Sequence, residues 1–482
     1  MNLTDLGTDV LSHIFALVDV YTILSLARVN RYFHNIASTK QLWLSIVCEL
    51  SARGFINTSV EEIDTLSKDA LVEEVRRVVA GPQTWSPSSS LPPRIFRQIN
   101  LESGCLQAEL LGARFILLLR QPEDHSLWQR RIECFDLHSR RRVCTWTRPD
   151  FELYAVTLDS RGRVSDIVVV VTMRAQHSEN WHLVFLRADL NTGQLHDLLH
   201  LPFPVSTWGL WDSQLCGNFF ISSTGVQGRW ILLLNWQSDT FVLLERNSDY
   251  EVYALLPGHV VSTHPVSDST THRVNIYPLT SFDHLWRSFN ESSLDHPINP
   301  TAHLHKDIIH LQVPNNGVHP VAHQHRIGLS VLESPVHDDT YEIVIHLRDL
   351  ISPPPLPPLV SLLSRKKGGP TRGRGTGRRA RVTVSRFSVA LPARQMSPPE
   401  LTLKSVSRGW TDFTLLSGAG YGLYNVPGHV GLFVRRLVAD GAEVPTPRRL
   451  RLRLPFPCSF RLTQSEAFVV YNNSHTTIMY YQ

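Results

Sequence analysis

Along the first 80 residues, apolar positions recur at intervals of three, four and seven, the spacing of amphipathic helices. Asp9–Val18 sets Val10, Leu11, Ile14, Leu17 and Val18 on that pattern, with Thr8 as the expected N-cap. Thr22 is placed to cap a second helix carrying Ile23, Leu24, Leu26, Ala27 and Val29, and a third starts near Asn30 with Phe33, Ile36 and Ala37 on one face. Leu42, Trp43, Ile46 and Val47 mark a fourth. Ser67 is placed to cap a further helix that turns Leu71, Val72, Val75, Val78 and Val79 inward, with Glu73 and Arg77 at ion-pair spacing. No proline occurs before Pro82. Helices this short are stable only when packed on one another or on a partner.

The texture then changes. Residues 81–94 begin with a Pro/Ser-rich stretch, GPQTWSPSSSLPP, that reads as a linker. From 95 to 482 short apolar or alternating runs are broken by turn residues, the pattern of strands. Three stretches resemble one another as strand, polar turn, strand: 133–146, 187–199 and 233–245, with turn pairs Asp136–Leu137, Asp189–Leu190 and Asn235–Trp236. Their spacing matches the roughly 40–50 residues of one four-stranded propeller blade. The runs 272–279, 341–350, 381–391 and 429–444 are candidates for further third strands, and 465–482 again reads strand, turn, strand. The 388 residues after Arg94 are enough for about seven blades and one long loop. The expected fold class is a small all-α unit followed by an all-β domain, a β-propeller of six to eight blades, with a pair of β-sandwiches as the alternative.

Charge singles out one segment. The chain carries a net +4, yet residues 365–381 alone hold eight basic residues and no acidic ones. The rest is therefore net negative, and the basic balance gives no ground for a nucleic-acid-binding fold. With the proline run SPPPLPP at 352–358, the segment at about 352–381 lacks the apolar residues to build a core and is expected to be a disordered loop. Arg365, Lys366, Lys367, Arg378 and Arg379 form a candidate nuclear import signal. Apolar runs such as Phe115–Leu119 fall far short of a membrane span, and the first ten residues lack a secretory pattern. Six dispersed cysteines form no disulfide framework and no CxxC pair. A cytoplasmic or nuclear setting follows, with no membrane partner.

The N-terminal pattern resembles the F-box. Leu6-Gly7-Thr8-Asp9-Val10-Leu11-x-x-Ile14-Phe15-x-x-Val18 stands where that family has its Leu-Pro-x-Glu-(Val/Leu)-Leu-x-x-Ile-Phe opening. Leu24-x-Leu26-Ala27-Arg28-Val29-Asn30-Arg31-Tyr32-Phe33-x-x-Ile36-Ala37 matches the second half, and Leu42-Trp43 the closing pair. Gly7 departs from the family's proline and gives up the φ restraint a proline would supply. In overall style, an F-box, a short joint and a propeller-like remainder, the chain also resembles F-box proteins of mushroom-forming fungi.

The resemblance implies a receptor subunit of an SCF-type ubiquitin ligase. Residues 1–80 would hold the F-box and accessory helices; they would dock a Skp-type adaptor and through it a cullin, while the β domain captures an unknown target protein for ubiquitin-dependent degradation. The adaptor-binding residues it implies are Leu6, Leu11, Ile14, Phe15, Leu17, Leu24, Leu26, Val29, Phe33 and Trp43. Such a unit is too small to hide all these side chains, and those left outside await a partner. The alternatives are a non-ligase F-box scaffold and a protein-interaction propeller with a helical cap.

Other chemistry finds little support. His303/His305 and His323/His325 are two HxH pairs able to face one way on a strand, but companion ligands are missing and surface histidines are the expected reading. No nucleophile elbow, P-loop or dinucleotide fingerprint is present. A non-catalytic protein without a cofactor or metal is expected.

Overall fold

The computed structural model describes residues 6–481 except 57, 59, 87, 103, 112–113, 122–129, 160–166, 177–179, 190–191, 204–209, 225–228, 247–250, 266–270, 290–308, 315–324, 338, 352–378, 392–398, 411–413, 417–420, 426–431, 437–447, 451–458, 463–466 and 473. The chain opens with six helices: α1 Thr8–Ala16, α2 Val20–Leu26, α3 Arg31–Ala37, α4 Lys40–Ala52, α5 Val60–Thr65 and α6 Lys68–Ala80. α5 has no counterpart in the periodicity of the sequence.

The caps explain where these helices begin. Asp19, not Thr22, caps α2, its carboxylate accepting from the backbone N–H of Tyr21 and Thr22 at 2.9 and 3.0 Å. Asn30 caps α3 through Phe33 N–H at 2.8 Å, and Ser67 caps α6 through Ala70 N–H. α1 starts at Thr8 itself, with Gly7 at the N-cap position and no side-chain cap. The expected Glu73–Arg77 pair is replaced by two i,i+3 pairs, Glu73–Arg76 at 3.3 Å and Glu74–Arg77 at 2.7 Å. Both spacings bring side chains together on a helix surface, so the choice falls to local packing.

Two apolar clusters hold the helices. Leu11, Phe15, Ile23, Phe33, Ile36, Ala37 and Leu42 form the first, with the Phe15 and Phe33 rings 5.9 Å apart. Trp43, Val47 and Leu50 of α4 meet Leu71, Val75 and Val78 of α6 in the second. Trp43 Nε1 donates to Ala37 O at 2.8 Å, satisfying its one polar atom inside the core.

The remainder forms seven antiparallel sheets among the described residues. Six use strands in chain order, within 107–146, 151–203, 211–245, 252–314, 325–410 and 414–449, the fourth skipping over Arg287–Ser288. The third sheet gains a short fifth strand, Arg287–Ser288, on Thr240–Glu245. The last sheet joins Ser459–Leu462, Ala467–Tyr471 and Thr476–Tyr481 to Ile95–Leu101, the first strand of the domain. The first and last strands of the β domain thus share one sheet, the closure device of a β-propeller.

Packing follows the same circular order. Clusters of buried side chains join the first sheet to the second, second to third, third to fourth, fourth to fifth, sixth to seventh and seventh to first. The leading strands of neighbouring sheets also touch, as Gln107–Leu111 does Phe151–Leu158. Paired sandwiches would not give consecutive four-stranded sheets closed by the first strand, so that alternative falls.

The three similar hairpins are the third and fourth strands of the first three blades. Residues 272–279, 381–391 and 429–444 contribute third strands, Thr271–Pro278, Arg379–Ala390 and Leu432–Arg436. Residues 341–350 belong instead to a second strand, Thr340–Ile351, which pairs along its length with Arg379–Ala390. That partner strand begins at Arg379, within the stretch expected as a loop.

Candidate protein-interaction surface

The helical unit sorts the apolar residues of its opening motif into two sets. Leu11, Phe15, Phe33 and Trp43 are buried in its core. Leu6, Ile14 and Leu26 are half-buried and pack against the same cluster. Leu17, Leu24 and Val29 point outward, exposed between 48% for Leu24 and 74% for Leu17. Val10 and Tyr21, absent from the sequence-derived site, join them at 50% and 56%. Their signal was present: Val10 on α1 lies seven before Leu17, the residue that caps the end of α1, and Tyr21 three before Leu24 on α2, each pair at the spacing of one helical face.

Five of the nine large hydrophobic side chains exposed among the described residues thus fall within residues 10–29. Such a concentration in one small unit differs from the scattered exposed apolar residues of an ordinary surface and makes this the candidate contact surface. At its edge, Asp19 is held below the ordinary carboxylate range: partial burial works against this, but hydrogen bonds from Thr22 and Tyr21 and the nearby His337 outweigh it. A carboxylate at the start of α2 also complements the helix dipole. Gly7 adopts φ −58°, the value a proline would impose, and a Cβ there would meet nothing within 4 Å. Glycine therefore leaves the entry geometry of α1 unchanged.

The unit touches the β domain where the Arg77 guanidinium lies 6.0 Å from the Phe96 ring centroid and where His337 stands near Asp19, and two further anchors tie it. Arg53, just after α4, donates from Nε to Glu333 Oε1 at 2.9 Å and from Nη2 to Ser334 O at 2.6 Å. Trp85, in a short 3-10 turn of the expected linker, is buried between the sixth and seventh blades. Its ring lies 5.8 Å from Tyr421 and 5.3 Å from Tyr481.

These anchors share one end of the blades. In an antiparallel sheet the first-to-second and third-to-fourth connections lie together, opposite the second-to-third ones. Glu333 ends a first strand, Tyr421 starts a second and Tyr481 ends a third. All three therefore mark the end that carries the first-to-second turns. Ile351 and Arg379, where the proline- and arginine-rich segment leaves and re-enters the sheet, lie at the other end. Arg365, Lys366, Lys367 and Arg378 fall outside the described residues, as do His303, His305 and His323; Arg379 and His325 open strands. No helix among the described residues is long and apolar enough to cross a membrane.

Residues 3–49 match the F-box-like family. No curated protein matches the chain. Among solved structures, Hsv2 of Kluyveromyces lactis is similar at 10% identity, covering 78% of this chain and 89% of that one with a TM-score of 0.36. A Lactobacillus plantarum protein is similar at 10% identity over 73% of this chain and 99% of that one, with a TM-score of 0.32. Those likenesses are too distant to carry an argument, and the architecture rests on the sheet order itself. Residues 3–49 thus carry an F-box-like helical unit, and the described residues that follow form a domain of antiparallel, mostly four-stranded sheets.

Proposed function

We propose that this chain is the substrate-recognition subunit of an SCF-type ubiquitin ligase, its F-box docking a Skp-type adaptor and its propeller holding a target protein. The observation that carries the reading is the outward apolar set Val10, Leu17, Tyr21, Leu24 and Val29 on a helical unit whose core is already complete without them. Covering these side chains on docking would supply the main drive for association, at about 25 cal/mol per Å² of apolar surface removed from water. Leu6, Ile14 and Leu26 line the flanks of that contact, while Leu11, Phe15, Phe33 and Trp43 serve it by fixing the helices behind it.

The target side is the end of the propeller opposite the two anchors. Long segments such as 352–378 join the strands there. A protein bound there would lie across the propeller from the adaptor. Catalysis would belong to the other subunits, so the chain itself needs no cofactor.

The test is co-expression with a Skp-type adaptor and pull-down of adaptor and cullin, for the wild type and for Leu17→Asp/Leu24→Asp. These positions are exposed in the free chain, so the variant is expected to fold, whereas a charge at Leu11 would enter the core. Two carboxylates facing an apolar partner surface should weaken the complex by at least about a hundredfold. A folded variant that still binds the adaptor, or a folded wild type that does not, removes this reading.

A further inference from the structure

Cys134 and Cys144 are register partners on the adjacent strands Arg131–Asp136 and Arg141–Trp146 of the first blade. Directly opposed residues of an antiparallel pair have Cα atoms about 4.5–5.5 Å apart and Cβ atoms at a similar distance. A disulfide accepts Cα separations of about 4.4–6.8 Å with Cβ atoms roughly 3.5–4.5 Å apart. A small closing motion therefore suffices, and the register shift immediately after Cys134 gives the strand local slack. Both residues carry free thiols.

The pair is asymmetric in the way a reactive dithiol requires. Cys134 is fully buried, and Cys144 is half-buried at the seam with the second blade, where its Sγ donates to Gly193 O at 3.1 Å. Gly193 has φ +72°, and a Cβ there would come within 2.5 Å of Val143 Cγ2, so glycine is what allows this turn to sit against the cysteine. The Cys134 thiol stabilises a thiolate on Cys144 by hydrogen bonding, bringing Cys144 down to about 7 against the opposing effect of burial. The same interaction, with burial, pushes Cys134 up. By contrast, burial raises Cys105 to about 12. A cysteine is reactive through its thiolate, which singles out Cys144.

We propose that Cys134 and Cys144 form a peroxide-sensitive dithiol, with Cys144 as the attacking sulfur and Cys134 as the resolving one. The Cys144 thiolate attacks one oxygen of hydrogen peroxide, forming a sulfenic acid and releasing hydroxide. The Cys134 sulfur then attacks the Cys144 sulfur; the S–S bond forms, the S–OH bond breaks, and the leaving hydroxyl takes up the Cys134 proton as water. In sum, two thiols are oxidised by two electrons, one peroxide is reduced to two waters, and a dithiol reductant reverses the change. In the disulfide, as in the thiolate, Cys144 has no S–H to give to Gly193 O at the seam between the first and second blades.

The test uses the full chain, treated with hydrogen peroxide, blocked with N-ethylmaleimide and digested with trypsin. Arg140, Arg141 and Arg142 lie between the two cysteines, so cleavage separates them unless a disulfide holds the peptides together. The expected product is that linked pair, two hydrogens lighter than the sum of its peptides. Its formation should be about tenfold faster at pH 8 than at pH 6. In Cys134→Ser, dimedone should trap a sulfenic acid on Cys144; in Cys144→Ser, Cys134 should stay unmodified. A folded wild type that gives no 134–144 link, or gives it only when unfolded in urea, overturns the proposal, as does a Cys134→Ser chain that takes up no dimedone.

Discussion

Glu133 is fully enclosed, yet it is ionised because three guanidinium groups surround it. Arg120 reaches its Oε2 at 2.9 Å, and Arg131 and Arg142 reach Oε1 at 2.8 and 2.9 Å. Burial by itself would raise this carboxyl, but the hydrogen bonds from Arg120 and Arg142 and the nearby positive charges hold it below its ordinary value. A group depressed in the folded state contributes stability that is complete above the unfolded value, near 4.5, and is lost as pH falls through the folded one. Glu133→Gln is therefore expected to cost about 1–3 kcal/mol near pH 7, the smaller part of the range for buried pairs because the arginines retain contact with water. It should also flatten the acid limb of the stability curve below pH 4.5. Chemical denaturation of wild type and variant at pH 7 and pH 4 checks both: a variant that loses the same stability at the two pH values would mean that the charge of Glu133 contributes nothing.

At the scale of elements, the short turn Gln83–Trp85 has the largest effect for its size. A Pro/Ser-rich stretch reads as a tether, yet it delivers a tryptophan into the seam between the sixth and seventh blades. Trp85→Ala would empty a fully buried site and should cost about 3–5 kcal/mol, with Trp85→Phe recovering part of the loss. If calorimetry finds Trp85→Ala unchanged, the turn is only a tether. The contrast shows what the sequence makes legible. The third-and-fourth-strand hairpins of the first three blades stand out because each closes on a short polar turn, such as the one at Asp136. In the fourth blade, third and fourth strands are separated by residues 279–308, and in the fifth, second and third are separated by 352–378, so the period is interrupted. Residues 341–350 look like a third strand because alternation reports burial and not rank within a sheet. Thr8 and Thr22 look like caps because a hydroxyl one or three positions past the true cap satisfies the same pattern. The interaction residues were half legible for a related reason: α1 carries apolar side chains on more than one face, and only its packing on α3 and α4 decides that Leu11 turns in and Leu17 out.

At the scale of the whole molecule, the proposed receptor role makes the contacts between the helical unit and the β domain decide whether a target and an adaptor would be held at a fixed separation. A receptor that presents a bound protein to a distant catalytic centre gains from a rigid link, because each freed rotation dilutes the local concentration of the target's lysines. Arg53, Glu333 and Ser334 supply a contact about 280 residues apart in sequence, enclosed at 11% exposure for each charged side chain, so it is screened less than a surface pair. It uses none of Val10, Leu17, Tyr21, Leu24 and Val29, although His337, hydrogen-bonded to Ser334, stands near Asp19 at the start of α2, so the ion pair is expected to act on geometry more than on adaptor affinity. A double-mutant cycle of Arg53→Ala and Glu333→Ala is expected to give a coupling energy of about 1–2 kcal/mol, above that of exposed ion pairs. With fluorophores on α1 and on the fifth blade, the distance distribution should broaden in Arg53→Ala while the dissociation constant for the adaptor stays within about twofold of wild type. Vanishing coupling with an unchanged distribution would assign the rigidity to the other contacts, Trp85 and the Arg77–Phe96 pair among them; a lost adaptor affinity would mean instead that the contact shapes the F-box helices themselves.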